Sequence, residues 1–492
     1  MAAPVLILLL CLIVATAALL LRMAGDKTPV LLQPSTLFTV PWVLALLIYV
    51  LPIFEFRESL EMRHVLYIGL AHFAFALGAV LAGAGSSAKA LRQNQAVDPF
   101  VVSAKMLTVI LCLGLFGNIA VVVDAALTSS LSLFDRLQDG ALSTVRNEQF
   151  ATQILGIVGP LHRWEQLAPF TLLGLVLRLL MPSVNPGGKQ GGHLQRWLIV
   201  VSLVAYLFNG LFIRGGRMDL VILLLVLALG AFFDPERRVQ NWFRRRSFLS
   251  IAAVASVATI IAMAGLVYLS TSFVQVRSAG TSGLLSLAQH HRMDISPMVG
   301  QLLGYSSPVQ YGLLTLSYVV SPLSAFAYYF DLSEASLPGP FWGQYNFPML
   351  APRVMRILQF DTIRYWWDLR FDVFGPLTFQ GFGGNVWATI LRDLAMDFGW
   401  LGAPFIVAVM GFFSKLLQRV GLTRKSPLVL GAFCVFAPAL ILSFAHSLLF
   451  VQSLFGAFFF ALLLLLFTRV RTAMRRRSNR NVALHAALER AR

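Results

Sequence analysis

Apolar runs long enough to cross a bilayer recur along the whole chain, and nothing else restricts its fold as strongly. An α-helix rises ~1.5 Å per residue and the hydrocarbon core is ~30 Å thick, so ~20 apolar residues span it. Such runs fall at roughly 4–22, 37–54, 65–84, 104–127, 167–182, 197–213, 218–233, 248–270, 397–413, 428–446 and 449–468. Composition agrees, with 58% apolar and 12% charged residues. That is too little charge to hydrate a soluble surface of this size, whereas lipid solvates an apolar one. No alternating pattern of ~10-residue strands runs through the chain, which excludes a β-barrel. The predicted fold is all-α: a polytopic transmembrane helix bundle of about eleven spans, with large external loops that contain short helices.

The net charge of +17 sits mainly in short loops and in the tail. The tail carries Arg469, Arg471, Arg475, Arg476, Arg477 and Arg480, and 414–427 carries Lys415, Arg419, Arg424 and Lys425. The loop 234–247 has Arg237, Arg238, Arg244, Arg245 and Arg246; 85–103 has Lys89 and Arg92, and 183–196 has Lys189 and Arg196. Alternation of the spans places all five segments on one face, and the excess of basic residues makes that face cytoplasmic. The charge therefore needs no nucleic acid to explain it. Cys11, Cys112 and Cys434 lie inside apolar runs, where thiols behave as small hydrophobes, so neither a disulfide nor a metal site is expected.

The chain divides into N-terminal helices (1–270, with an external loop at 128–166), a large external region (271–396), C-terminal helices (397–469) and a basic cytoplasmic tail (470–492). The run 311–330 is apolar enough to be a further span. Counting it would put the basic tail outside, so a helix in, or re-entering, the outer interface is the expectation.

Candidate chemistry lies on the external side. Arg214 and Arg217 flank Gly215 and Gly216 at a turn between spans. Guanidinium groups bind phosphates through paired hydrogen bonds, and glycine allows a close backbone approach. A snorkelling pair bridged to Asp219 or lipid headgroups is the alternative. Arg146 and Arg163 lie near Glu148, His162 and Glu165; Arg277 precedes His290, His291, Arg292 and Asp294. Such clusters can hold an anionic headgroup beside a general base, or form ordinary solvated ion pairs. Trp366 and Trp367 stand beside Arg364 and Asp368, an arrangement that suits either a stacked sugar or an interfacial aromatic belt. Asp393 and Asp397 are one helical turn apart, with Arg392 next to them. A carboxylate at the start of a span is costly unless paired, so Asp397 is expected either to have a partner, with Arg392 the obvious neighbour, or to serve the positive dipole of the helix start.

Several of these segments resemble one family. Gly215-Gly216-Arg217, opening a span at the outer face, is similar to a Gly-Ser-Arg turn of the oligosaccharide repeat-unit polymerases of bacterial surface polysaccharides, the Wzy-type or O-antigen polymerases. Tyr318 to Phe326 resembles that family's Tyr-small-Pro-Leu-Asn segment, with Ser324-Ala325 replacing the usual Asn. Asn385-Val386-Trp387-Ala388-Thr389 followed by Asp397-Phe398-Gly399-Trp400-Leu401-Gly402 resembles its Asn-x-aromatic-x-Thr and Asp-Phe-Gly-x-x-Gly pair. The layout of two unequal external loops before a final helix pair is also similar, and Arg146 with Gly156 loosely matches an arginine–glycine spacing found in some members.

The resemblance implies an enzyme of the bacterial inner membrane that joins undecaprenyl-pyrophosphate-linked oligosaccharides at its outer face. It implies that no nucleotide sugar is needed, and the sequence, which has no Walker loop, dinucleotide fingerprint, HExxH pair or CxxC, suggests no cofactor and no metal. Expected partners are the lipid-linked glycan, membrane lipid, a flippase and a chain-length regulator. In those terms Arg217, Arg214, Arg146 and Arg277 hold the pyrophosphate. His290, His291, Asp294 and Asp397 are the catalytic candidates, and Trp366, Trp367, Arg364 and Asn385 hold the glycan. A flippase for lipid-linked sugars, a scaffold of an export complex and an O-antigen ligase are the other readings. Spans that are almost purely apolar speak against a polar translocation path.

Overall fold

The computed structural model describes residues 32–84, 102–128, 161–181, 192–213, 217–233, 292–303, 307–332, 339–347, 351–359, 369, 372, 388–445 and 458–467. The described elements are α1 (Pro34–Val50), β1 (Phe54–Phe56), α2 (Met62–Ala84), α3 (Ala104–Thr128), α4 (His162–Glu165), α5 (Phe170–Leu180), α6 (Gly192–Phe208), α7 (Arg217–Phe232), β2 (Met293–Ile295) and α8 (Pro297–Leu303). They continue with α9 (Ser307–Asp331), α10 (Ala351–Ile357), α11 (Ile390–Arg424), α12 (Pro427–Ile441) and α13 (Phe458–Phe467).

Three of these helices are long and apolar enough to cross a membrane, over Met62–Ala82, Ala104–Leu127 and Ile390–Arg424, and several shorter ones are equally apolar. Their outward faces carry large hydrophobic side chains, among them Leu66, Phe73, Trp197 and Phe405. Exposed apolar residues at this density along helix faces belong to a protein solvated by lipid.

Most expected spans coincide with helices. The run at 167–182 forms only α5, because Pro169 precedes it and the chain turns extended at Met181. The run at 197–213 starts as α6 and ends in a π-helical turn, Asn209–Ile213. The run at 397–413 is part of a longer α11, which begins at Ile390 and ends at Arg424. The runs 4–22 and 248–270 lie outside the described residues, as does the first part of 449–468. The helical expectation is amended by one small sheet: β1 and β2 pair antiparallel, Phe54 opposite Ile295 and Phe56 opposite Met293.

Side-chain bonds give the relative directions of the helices. Tyr67 donates to the Trp400 carbonyl (2.6 Å) near one end of the α2–α11 pair, and Arg419 donates to the Ala82 carbonyl (3.2 Å) near the other, so these helices run parallel. They touch closely because a Cβ on Gly78 would overlap the Ala408 carbonyl and one on Gly411 would overlap that of Phe75. Small residues at such crossings let backbones approach, which is how helices gain packing energy in lipid. α1 runs opposite to α11: Lys415 donates to Gln33 (2.5 Å) and Gln418 to the Leu32 carbonyl (2.6 Å) at the start of α1. Lys425, in a left-handed conformation, closes α11 and turns the chain back into α12. α6 runs parallel to α3, through Gln195 to Ala104 (3.0 Å) at one end and Asn209 to Asn118 (2.6 Å) at the other.

The bundle thus has a ribbon end, where β1, β2, the start of α2 and the start of α11 meet, and an opposite lysine end with Lys415, Arg419, Arg424 and Lys425.

Candidate functional site

Polar chemistry inside the fold concentrates at the ribbon end, around the start of α11. Ile390 opens the helix by donating its N–H to the Ser443 carbonyl (2.9 Å), beyond α12. The Ser443 hydroxyl accepts the Trp42 indole N–H (2.8 Å), which ties α1 to the same point. The first two turns of α11 carry Arg392, Asp393 and Asp397, all fully buried. Arg392 Nε donates to Asp393 Oδ1 (2.7 Å), and the guanidinium lies over the Tyr329 ring, 4.9 Å from its centroid. A buried cation is stable only when a counter-charge and a polarisable face replace its hydration, and Asp393 and Tyr329 supply both.

Asp397 closes this first segment. Its Oδ1 accepts the Tyr345 N–H (3.0 Å), and its Oδ2 accepts both the backbone N–H (2.7 Å) and side-chain N–H (2.7 Å) of Asn346. The same Asn346 amide donates to the Asp393 carbonyl (2.7 Å). The helix then breaks. Gly399 has φ 72° and ψ 166°, a backbone conformation essentially restricted to glycine. The carbonyls left unbonded by the break are capped from outside: Phe341 N–H donates to the Met396 carbonyl (3.0 Å) and Trp342 N–H to that of Asp397 (2.9 Å). Asp-Phe-Gly-Trp-Leu-Gly is therefore a fastening: carboxylate, break and cap hold residues 341–347 against α11.

A second fastening joins α9 to α2. Asp331 accepts from His64 Nε2 (2.7 Å) and Arg63 Nη2 (2.9 Å), and His64 Nδ1 accepts the Glu61 N–H (2.8 Å). With Nδ1 acting as acceptor, the ring carries its hydrogen on Nε2, and both nitrogens are used within the fold. Ser324 adds a bond to the Glu58 carbonyl (2.8 Å).

Two sequence-predicted catalytic candidates are described in full, both at this end. Asp397 is buried and engaged as above. Asp294 is exposed on β2, opposite Glu55 of β1. Next to it Arg292 pairs with Glu58 (3.3 Å). Arg217 is placed by its backbone at the start of α7. His290, His291, Arg214, Arg146, Arg277, Arg364, Trp366, Trp367 and Asn385 lie outside the described residues. Sequence reasoning singled out Tyr345 only as one of a run of aromatics with Phe341 and Trp342, and it missed Asn346, Tyr329 and the His64–Asp331 pair. Their partners lie tens to hundreds of residues away, and no local spacing announces such contacts. Among the described residues no group of His, Cys, Asp or Glu could hold a metal ion.

The buried cluster has two carboxylates to one guanidinium among the described side chains. Among the described residues its one guanidinium, Arg392, is fully buried. Compared with known proteins, the chain matches no protein-family model, no curated protein and no solved structure.

Proposed function

We propose that the chain is a polysaccharide polymerase of the bacterial inner membrane, a glycosyltransferase that joins undecaprenyl-pyrophosphate-linked repeat units at the outer face. The bundle would have about eleven spans, with the ribbon end outside and the lysine end in the cytoplasm. One observation carries this reading: the most specific resembling motif, Asp397 to Gly402, forms a fastening at the same end of the bundle as Asp294. Such a device rigidly seats an external segment on a membrane helix, as a site working on membrane-bound substrates requires.

Helix directions support the topology. α2 and α11 run parallel, as alternation over the proposed spans demands. Counting 307–331 as one more crossing would oppose them. Asp331 is fixed at the ribbon end, and so is Ser296, through the Ile53 carbonyl (2.9 Å). From Ser296, the seven residues of α8 and four further steps reach at most about 25 Å, short of the ~30 Å core, so on this topology α9 would start short of the cytoplasmic face.

In the reaction, the pyrophosphate of the growing chain is the leaving group. Arg217, with Arg214, Arg146 and Arg277, would stabilise its developing charge. His290, His291 or Asp294 would deprotonate the acceptor hydroxyl. Asp397, its oxygens engaged by three N–H groups, serves in this scheme as a positioning residue. Trp366, Trp367, Arg364 and Asn385 would hold the glycan.

The test is a gel of glycans formed when purified protein in liposomes receives lipid-linked repeat units alone. A ladder of increasing length is expected, and Arg217→Ala should abolish it. Unchanged substrate beside an active control enzyme would overturn the reading, and transbilayer movement of the lipid in that sample would replace it with a flippase.

A further inference from the structure

The fastened segment does not end at residue 347. Phe347 N–H donates to the Gly343 carbonyl (2.8 Å) and Ala351 N–H to that of Phe347 (2.9 Å), leading into α10. Gly343 lies against Phe347, Ala351 and the Phe398 ring, so the start of α10 is seated on the break in α11.

α10 is amphipathic in an inverted sense. Met355 is buried, whereas Val354, Ile357 and Leu358, which share a face by their spacing of three and four, are exposed; Ile357 is 80% exposed. Trp342 is exposed as well, and its backbone is bonded to Asp397, one turn before Leu401. Leu401, 96% exposed, and Phe405 continue an apolar stripe down α11. The exposed apolar surface of Trp342, Val354, Ile357 and Leu358 is thus continuous with the lipid-facing side of a membrane helix. Its charge is one-sided: 339–359 holds Arg353 and Arg356 and no acidic residue.

We infer that residues 339–347 and 351–359 form a ledge that lies in the bilayer interface, with Trp342, Val354, Ile357 and Leu358 inserted among acyl chains and Arg356 at the level of anionic phospholipid headgroups. Continuity with α11 favours lipid over a protein partner, and the arginines match the charge of such headgroups. The inference rests on the membrane character of α11 and not on the polymerase reading. It sets the height of the fold: Asp397 and the break at Gly399 lie at the boundary between hydrocarbon and headgroups.

The experiment places a nitroxide label on Ile357→Cys, and separately on Leu358→Cys, in protein whose three native cysteines are replaced by alanine. The protein is reconstituted into vesicles of phosphatidylethanolamine and phosphatidylglycerol. Collision rates are read against oxygen, which partitions into lipid, and against a water-soluble nickel chelate. A label on Glu55→Cys, exposed on the ribbon, is the aqueous reference. The ratio of oxygen to nickel collisions is expected to be several-fold higher at 357 and 358 than at 55. Equal ratios would overturn the inference, because the ledge would then stand in water. Low collision rates with both reagents would overturn it too, because protein would then cover the face.

Discussion

At the scale of single residues, the fastening at the start of α11 is where substitutions should cost most. Asp397→Ala removes the acceptor of the Tyr345 N–H and of both Asn346 donors in a buried place. Each orphaned donor costs about 1–3 kcal/mol. The expected outcome is a clear fall in the unfolding midpoint of the detergent-purified protein, with Asp397→Asn losing less. An unchanged midpoint for Asp397→Ala would mean that the carboxylate carries no load. Arg392→Met leaves Asp393 buried beside a lost counter-charge, a change that costs about 3–5 kcal/mol. Arg392→Met combined with Asp393→Leu should lose less than Arg392→Met alone, because no uncompensated charge remains. A double variant less stable than either single would show that the pair is not coupled in this way. The sequence told part of this. A carboxylate at the head of an apolar run had to be engaged, which marked Asp397, and Arg392 stood beside it. That Asn346 and Tyr345 would engage it was not legible, because a hydrogen bond across some fifty residues leaves no periodic trace.

Among elements, α11 shows what hydropathy reads and what it cannot. The apolar run identified a span but began it at residue 397, since Arg392 and Asp393 look like loop residues until their burial against Tyr329 is seen. β1 and β2 escaped notice for a related reason: three residues each are too few to display an alternation. Two glycines of α11 separate backbone conformation from packing. A Cβ on Gly399 would meet nothing within 4 Å, so Gly399→Ala tests the positive φ alone, at about 1–3 kcal/mol. Gly411 is helical, but a Cβ there would overlap the Phe75 carbonyl. Gly411→Val must therefore push α2 and α11 apart. In unfolding measurements Gly411→Val should be partly rescued by trimming α2 with Phe75→Ala only if side-chain volume is at fault. Since the clash is with backbone, no rescue is expected. Gly399→Ala should instead loosen 341–347, read as faster proteolysis near Trp342 at an unchanged α2–α11 contact.

For the whole molecule, the decisive quantity is how often the chain passes between its two ends. The Phe233 ring lies against Phe433, 5.7 Å between centroids, only six residues into α12 from the lysine end. Met293 is paired with Phe56 at the ribbon end. Under the proposed topology the chain between Phe233 and Arg292 joins opposite ends, and its one long apolar run is 248–270. At ~1.5 Å per residue a helix over that run would be about 35 Å long, sufficient for one crossing. With that crossing, alternation, the basic loops and the parallel α2–α11 pair all agree; without it, the five basic segments could not share one face. A single cysteine in 234–247, such as Arg245→Cys in a cysteine-free protein, should resist a membrane-impermeant maleimide in intact spheroplasts and react after permeabilisation. Glu55→Cys should react in both. Labelling of both positions from outside would remove the crossing at 248–270 and the eleven-span topology with it. Labelling of neither until permeabilisation would turn the ribbon end to the cytoplasm, and the reaction proposed for the outer face would fall together with the orientation.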